Sequence, residues 1–325
     1  MRAVQLQSIG HITLTTLPDP IPGPDEILIR VEAAGLCGTD RHLFHGEFPC
    51  KPPVILGHEF SGRVVAGGLA EGTRVTCDPN IWCGTCSQCR RGRVNLCEHN
   101  IAIGLHRDGG FADYAVLPVH RAHILPEDLS PLHGAFCEPL ACTLHGLDLG
   151  APRPGERVAV LGGGVIGLLA VQLARAAGAE VMLVTRQKAK RDLGLAVGAH
   201  LTAAHLDEVL ALWPQGADLV LECAGVAGTV EGAPRITRTG GRIVILGVLP
   251  KGQKLQIEPF DLLFREISLI PSFLNPFTHA RATAMIASGA LRLDPLISRV
   301  IGLHEAADAI AHPPRPGEVK VIVQP

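Results

Sequence analysis

Net charge is nearly absent from this chain. Its 29 Lys and Arg residues face 31 Asp and Glu, a formal −2 over 325 residues. Bulk electrostatics therefore give no reason to expect a nucleic-acid partner or an acidic membrane surface. Long apolar runs are lacking as well, since none approaches the ~20 residues that cross a bilayer. The residues after Met1 read as a strand and not as a secretion signal. No internal repeat of fixed period is present. The expectation is a cytoplasmic protein with no membrane partner.

What is present is 47% hydrophobic residues, enough for sizeable cores, and a length that favours two domains. The 37 glycines and 25 prolines mark many turns. Apolar and polar residues alternate through Ile12-Thr13-Leu14-Thr15 and Glu26-Ile27-Leu28-Ile29-Arg30-Val31, the period of antiparallel sheet. Short strands continue at Arg63 to Ala66 and Thr73 to Cys77. From Arg157 the pattern changes to strand and helix in alternation, which means a parallel sheet with crossover helices. Thr278 to Ser288 reads as a helix, and short strands are expected from about Leu291. The expected class is α/β: a β-rich domain over residues 1–146, a doubly wound parallel-sheet domain over 147–288, and a return of 289–325 to the first domain.

Four of the ten cysteines, Cys83, Cys86, Cys89 and Cys97, stand at gaps of two, two and seven residues. Soft thiolates at such spacing suit one tetrahedral zinc. An iron–sulfur run would carry its fourth cysteine after three residues with a proline following, and here Glu98 follows Cys97. With all four ligands from protein, the site is structural, and any metal chemistry belongs elsewhere. Thiol-rich metal lobes fit a reducing compartment.

Gly162, Gly164 and Gly167 form Gly-x-Gly-x-x-Gly between the strand Val158-Ala159-Val160-Leu161 and a helix that begins near Val165. Such a turn lets backbone approach a pyrophosphate at a helix N-terminus, so a dinucleotide is expected there. NAD-selective folds place an acid at the end of the second strand. Here the strand runs Leu183-Val184-Thr185-Arg186, followed by Lys188, Lys190 and Arg191, with no carboxylate. Thr185 and Arg186, with Arg191 or Lys190 behind, suit a 2′-phosphate. The cofactor expectation is NADP in preference to NAD.

Cys37-Gly-Thr-Asp, Gly57-His58-Glu59, the Cys83 to Cys97 run, Glu138-Pro-Leu and the Gly162 turn occur in one order along the whole chain. This order resembles the zinc-dependent medium-chain alcohol dehydrogenases, and within them the sorbitol and polyol branch. The resemblance implies a GroES-like catalytic domain beside a Rossmann domain, two zinc ions per chain, and a homo-oligomer, either dimer or tetramer. It implies that Cys37 and His58 bind a catalytic zinc, with Glu59 and Glu138 as alternatives for the carboxylate. A regular strand would point His58 and Glu59 to opposite faces, so direct ligation by Glu59 needs irregular backbone. It further implies that Asp40 orients the zinc histidine. Thr39 and His42 match a relay carrying the alcohol proton through the cofactor ribose to solvent. Zinc would lower the alcohol pKa, and hydride would pass to the nicotinamide, leaving a ketone, at a site between the domains.

Two departures stand out. Part of a loop between Val64 and Val75 is missing. At Ser272-Phe273-Leu274-Asn275 the Arg and aromatic of sorbitol-type enzymes are replaced, which suggests a more apolar pocket drawing on Phe44, Phe48 and Leu274, or a different role for Asn275. The readings beside a polyol dehydrogenase are a threonine 3-dehydrogenase-like enzyme, which shares Cys-Gly-Thr-Asp, a simple secondary-alcohol dehydrogenase, and a non-catalytic cofactor-binding protein on the same fold. Arg90, Arg91 and Arg93 in the cysteine lobe do not make a nucleic-acid module of a chain that is not basic.

Overall fold

Alternation in the N-terminal segment produces the strand Glu26–Leu36, which buries Ile27, Ile29, Val31 and Ala33. In the computed structural model, which describes residues 1–325, this strand lies inside a seven-stranded sheet. Glu59–Gly67 pairs antiparallel along one edge, while Tyr114–Pro118 and Lys320–Gln324 share the other. Arg74–Cys77 and Ala122–Ile124 extend the sheet one way, and Ile297–Gly302 the other. A three-stranded sheet is built on Arg2–Ser8. Leu6, Ile29, Ile55, Phe60, Phe111 and Val323 are part of the apolar cluster that fills this unit.

The second unit holds six parallel strands. Their order is Leu201–Ala203, Glu180–Val184, Arg157–Leu161, Ala217–Glu222, Thr237–Ile245, Ser268–Pro271. The first strand in sequence, Arg157–Leu161, lies inside the sheet and the chain winds outward from it in both directions, which is the doubly wound arrangement. Parallel neighbours need crossover connections, and helices such as Val165–Ala176 and Lys188–Val197 supply them. The edge strand Leu201–Ala203 has three residues, too few to leave a sequence pattern.

Three expectations need correction. The first unit comprises Met1–Ala141 and Pro276–Pro325, and the second Cys142–Asn275. The helix Cys137–Gly150 runs through the first division, so its sequence carries no break at residue 146. The helix His279–Ala287 is as expected in extent but belongs to the first unit, where Thr278 Oγ1 donates to the Ala141 carbonyl at 2.7 Å and His279 stacks on His123 at 4.7 Å. The tail is not all strand: Leu303–Ala311 is a helix that buries Leu303, Ala306, Ala309 and Ile310 in the first core, at the 3, 3 and 1 spacing of a helical face.

Beside the cysteine lobe the first unit carries a buried polar layer. Arg121 pairs with Asp78 at 3.2 Å and lies over the Trp82 ring, one residue before Cys83. His279 is buried next to this layer, and neither of its ring nitrogens has a hydrogen-bond partner. Burial, with the charges of His123 and Arg121, holds its pKa well below the ordinary 6.5. As pH falls below 6.5 the unfolded chain takes up this proton first, so folding stability is lost on acidification. One such proton accounts for at most about 1.4 kcal/mol per pH unit. His279→Leu, which removes the titrating group and keeps an apolar volume, should flatten the decline in thermal midpoint between pH 7.5 and 5.5. An unchanged pH slope in the variant would count against this assignment.

Candidate catalytic metal centre and cofactor turn

Cys37 closes the N-terminal end of the short helix Gly38–Phe44. Its backbone N–H donates to Asp40 Oδ2 at 2.8 Å, and its sulfur accepts from the Thr39 N–H at 3.5 Å, so the first turn is fixed by its own side chains. His58 precedes the strand Glu59–Gly67 and follows Gly57, whose φ of +93° turns the chain into that strand. A Cβ at Gly57 would also press on Phe111 at 2.9 Å. This is the irregular backbone that adjacent His58 and Glu59 require to converge. The ligand atoms of Cys37, His58 and Glu59 lie within 4.8 Å of one another. His58 Nδ1 faces Asp40 Oδ1 at 3.6 Å, beyond hydrogen-bond length, and neither atom has a hydrogen-bond partner. With Nδ1 turned to Asp40, Nε2 is the nitrogen left for an ion.

The charges around this group decide what fits it. Glu59 is paired with Lys320, and both are buried; the ammonium also donates to the Leu36 carbonyl at 3.2 Å. A Cβ at Gly35 would overlap both side chains, so the pair occupies room that only glycine leaves. Burial disfavours the Lys320 ammonium, but the charges of Glu59 and Cys37 outweigh it and raise its pKa. Burial likewise opposes a charged His58, and Asp40 and Cys37 outweigh that too, holding its pKa well above 6.5. The next charges outward, Arg41 and Glu318, pair with each other at 4.0 Å. In the form that ligates a metal, with His58 neutral and Cys37 as thiolate, Asp40, Glu59 and Cys37 face one ammonium, and a divalent cation would bring the balance to neutral. Thiolate, imidazole and carboxylate are also the donors that zinc takes.

Thr39 and His42 lie one helical turn apart on Gly38–Phe44, both half-buried, so they share a face. Thr39 Oγ1 is 3.6 Å from the Cys37 sulfur, and His42 Nδ1 is 2.5 Å from Glu47 Oε2. Glu138 is outside the three-residue cluster. It is buried in the first turn of Cys137–Gly150, where its charge is felt by Cys77. Phe44 and Phe48 pack half-buried on the first unit's core, and Asn275 is buried in the second unit. Lys320 escaped the reading of the sequence. Its one signal is a lone cation inside the apolar run Val319 to Val323.

The sulfurs of Cys83, Cys86, Cys89 and Cys97 also lie within 4.8 Å of one another. Cys83 Sγ accepts from the Thr85 and Cys86 amides at 3.4 and 3.3 Å, and Cys97 Sγ from the Cys83 and His99 amides at 3.3 and 3.4 Å. Hydrogen bonds from Thr85, followed by the Cys86 amide, bring the Cys83 pKa down to about 5. Such bonds favour thiolate, the form that binds metal.

In the second unit Gly164 caps Val165–Ala176, and the space above it is open. A Cβ at Gly167 would overlap the Gly162 carbonyl oxygen, so close packing of turn and helix depends on glycine there. Thr185 borders this turn, its Cγ2 3.1 Å from where Gly163 would carry a Cβ. Arg186 is exposed. Arg191 differs from expectation: its Nη1 donates to the Thr185 and Arg186 carbonyls at 2.8 and 2.7 Å. It braces the strand end, because the carbonyls left free where the strand stops lie within reach of its guanidinium.

A thiol–imidazole–carboxylate cluster, together with a doubly wound sheet and a glycine turn, defines a zinc- and nicotinamide-dependent dehydrogenase. Residues 23–127 match the alcohol dehydrogenase GroES-like domain, and residues 165–288 match the zinc-binding dehydrogenase family. A solved structure from Sinorhizobium meliloti 1021, assigned as a zinc-binding dehydrogenase and bound to NADP, is 56% identical. It superposes with a TM-score of 0.97 over 100% of this chain and 99% of its own. D-arabinitol dehydrogenase 1 of Uromyces fabae is 32% identical over 100% of this chain and 97% of its own. A sorbitol dehydrogenase of Halalkalibacterium halodurans is 31% identical over 97% and 96%. The chain belongs to the zinc-dependent medium-chain alcohol dehydrogenase family, in its polyol dehydrogenase branch. It is an oxidoreductase that acts on secondary alcohols. No helix is long and apolar enough to cross a membrane.

Removing Lys320 should expose the charge logic of the site. Lys320→Met leaves Glu59 buried without a counter-charge, a loss of about 3–5 kcal/mol for a metal-stripped protein. Bound zinc supplies the missing positive charge. Thermal midpoints with and without zinc should therefore lie further apart in the variant than in the parent. Equal gaps would mean that Lys320 and the metal do not share Glu59.

Proposed function

We propose that the protein oxidises a polyol at a secondary carbon with NADP as hydride acceptor. The observation that carries this reading is the convergence of Cys37, His58 and Glu59 within 4.8 Å, next to the helix bearing Thr39 and His42. Cys37, His58 and Glu59 hold the catalytic zinc, with Glu138 outside the ligand set, and Asp40 steadies His58 through Nδ1. Cys83, Cys86, Cys89 and Cys97 hold a second, structural zinc. The catalytic ion supplies Lewis acidity that lowers the pKa of a bound alcohol. Thr39 accepts the hydroxyl proton and passes one on toward His42, which releases it to solvent. The first unit thus provides metal and proton path, and the second, through Gly162, Gly164, Val165 and Gly167, the cofactor.

NADP is favoured over NAD by what the strand Glu180–Val184 leads into. No acid follows it to bind a ribose 2′-hydroxyl, Arg186 is exposed and Thr185 borders the glycine turn. Arg191 contributes by holding the backbone of both. A homo-oligomer in the cytoplasm belongs to the same proposal. Phe260, Leu263 and Phe264, 63–72% exposed on one short helix, are surface that self-association would cover.

Three experiments test this reading. Cys37→Ser and His58→Ala should each abolish turnover while NADP binding survives, and retained turnover in either would remove the metal from the reaction. A panel of sugar alcohols, diols, simple secondary alcohols and threonine, followed by absorbance of the reduced nicotinamide, should find its best substrate among the polyols. With that substrate, Arg186→Ala should lower kcat/KM for NADP roughly tenfold to a hundredfold, the worth of a charge-assisted contact, and leave NAD little changed. Parent enzyme that prefers NAD would overturn the cofactor assignment.

A further inference from the structure

A helix as short as Gly38–Phe44 still has to satisfy its last carbonyls. Gly46, one residue past the C-cap His45, does so with a φ of +74°. Its N–H donates to the Leu43 carbonyl at 3.1 Å, and the Glu47 N–H donates to the His42 carbonyl at 2.8 Å. These are the two bonds of a Schellman closure, which brings residues 42 and 47 side by side. That pair of positions is frequently an apolar contact. Here it is His42 and Glu47, with Nδ1 and Oε2 2.5 Å apart. Their side chains are 26% and 41% exposed, and an ion pair so open to water adds little to stability. Stability is therefore a poor reason for the substitution of charge for grease.

We propose that Glu47 is a positioning residue for the proton relay: it holds the hydrogen of His42 on Nδ1, and so keeps Nε2 as the base. The inference rests on the reading of His42 as the far end of that relay. A neutral imidazole carries one N–H, and the other nitrogen is the acceptor. Free in water, the ring favours the hydrogen on Nε2, which would turn Nδ1 into the base and point it into the helix end. A carboxylate at Nδ1 reverses that preference and fixes the ring plane. The proton balance is simple. The alcohol O–H bond breaks, Thr39 gains one proton as it gives one up, and the proton forms an N–H at Nε2. The resulting imidazolium sits against the Glu47 carboxylate until water removes the proton, while hydride leaves with NADP.

The other charged groups on this helix and on the helix beside it are engaged elsewhere. On the same helix Asp40 is bonded to the Cys37 amide, and Arg41 donates to the Ala309 and His312 carbonyls. His45 lies edge-on to Phe44. From the helix Leu303–Ala311 packed alongside, Asp308 pairs with His312 at 3.0 Å, and His304 lies 3.9 Å from Glu305.

The test uses zinc-loaded enzyme with ¹⁵N-labelled histidine, read by NMR with NADP bound, and turnover of the polyol that the panel returns. The parent His42 should be the Nδ1–H tautomer. Glu47→Ala should shift it to Nε2–H and lower kcat roughly tenfold at neutral pH, with KM for NADP unchanged. Glu47→Gln still offers an acceptor oxygen, so it should keep the tautomer and lose less. Gly46→Ala strains the closure and brings a Cβ to 2.9 Å from Ile9 Cγ2, and should mimic Glu47→Ala if the geometry matters. Nδ1–H retained in Glu47→Ala, or a loss of thermal stability with kcat intact, would overturn the proposal. Unchanged kcat in His42→Ala would instead overturn the relay, while leaving the tautomer result to stand.

Discussion

Lys320 and Glu59 meet in the interior of the first unit, and much of its architecture follows from having to bury them together. A carboxylate or an ammonium alone would be expelled or neutralised there. The pair joins the C-terminal strand Lys320–Gln324 to the strand Glu59–Gly67 across Glu26–Leu36, three strands from three distant parts of the chain. It needs Gly35 on the middle strand to make room. Asp40, His58 and the Cys37 sulfur sit close by, so a divalent ion binding here would take the place of the proton that Asp40 favours on His58 and join the same balance. Metal affinity and folding are thus parts of one electrostatic problem in this protein.

The helix Gly38–Phe44 shows how little chain is needed to turn that charge balance into chemistry. Its N-terminal cap, Cys37, is one of the three clustered donors, its first turn holds Asp40 and Thr39, and its last turn holds His42. Cap chemistry at one end fixes Cys37 through Asp40, and the closure at the other end fixes His42 through Glu47. Both ends are rigid because their backbone groups are satisfied locally, which suits groups that must hold position while a proton moves. The glycine turn of the second unit follows the same logic, since overlap with the Gly162 carbonyl excludes any larger residue at Gly167.

Features carried by neighbours in sequence were legible without coordinates. Cys83 to Cys97 span one short contiguous stretch, so their spacing alone points to the cluster of four sulfurs. The strand, turn and helix around Gly162 are contiguous, and so is the cationic run after Val184. The helix His279–Ala287 was also readable in extent, but its membership was not. A stack on His123 and a bond to Ala141 decide that, and neither leaves a local pattern. The same holds for Arg191, a plausible phosphate ligand by composition that is engaged with two carbonyls in three dimensions.

By itself the sequence determined the fold class, the cysteine lobe, the dinucleotide turn and the ordered residues Cys37, His58, Glu59 and Glu138, because each depends on spacing along a continuous chain. Only tertiary structure decided that Glu59 and not Glu138 stands with Cys37 and His58, that Lys320 faces Glu59, and that Glu47 faces His42. Those choices depend on how Gly57 redirects one strand, which strand Lys320 lies beside and how Gly46 closes a helix. Burial and charge, not order in the chain, select the partners.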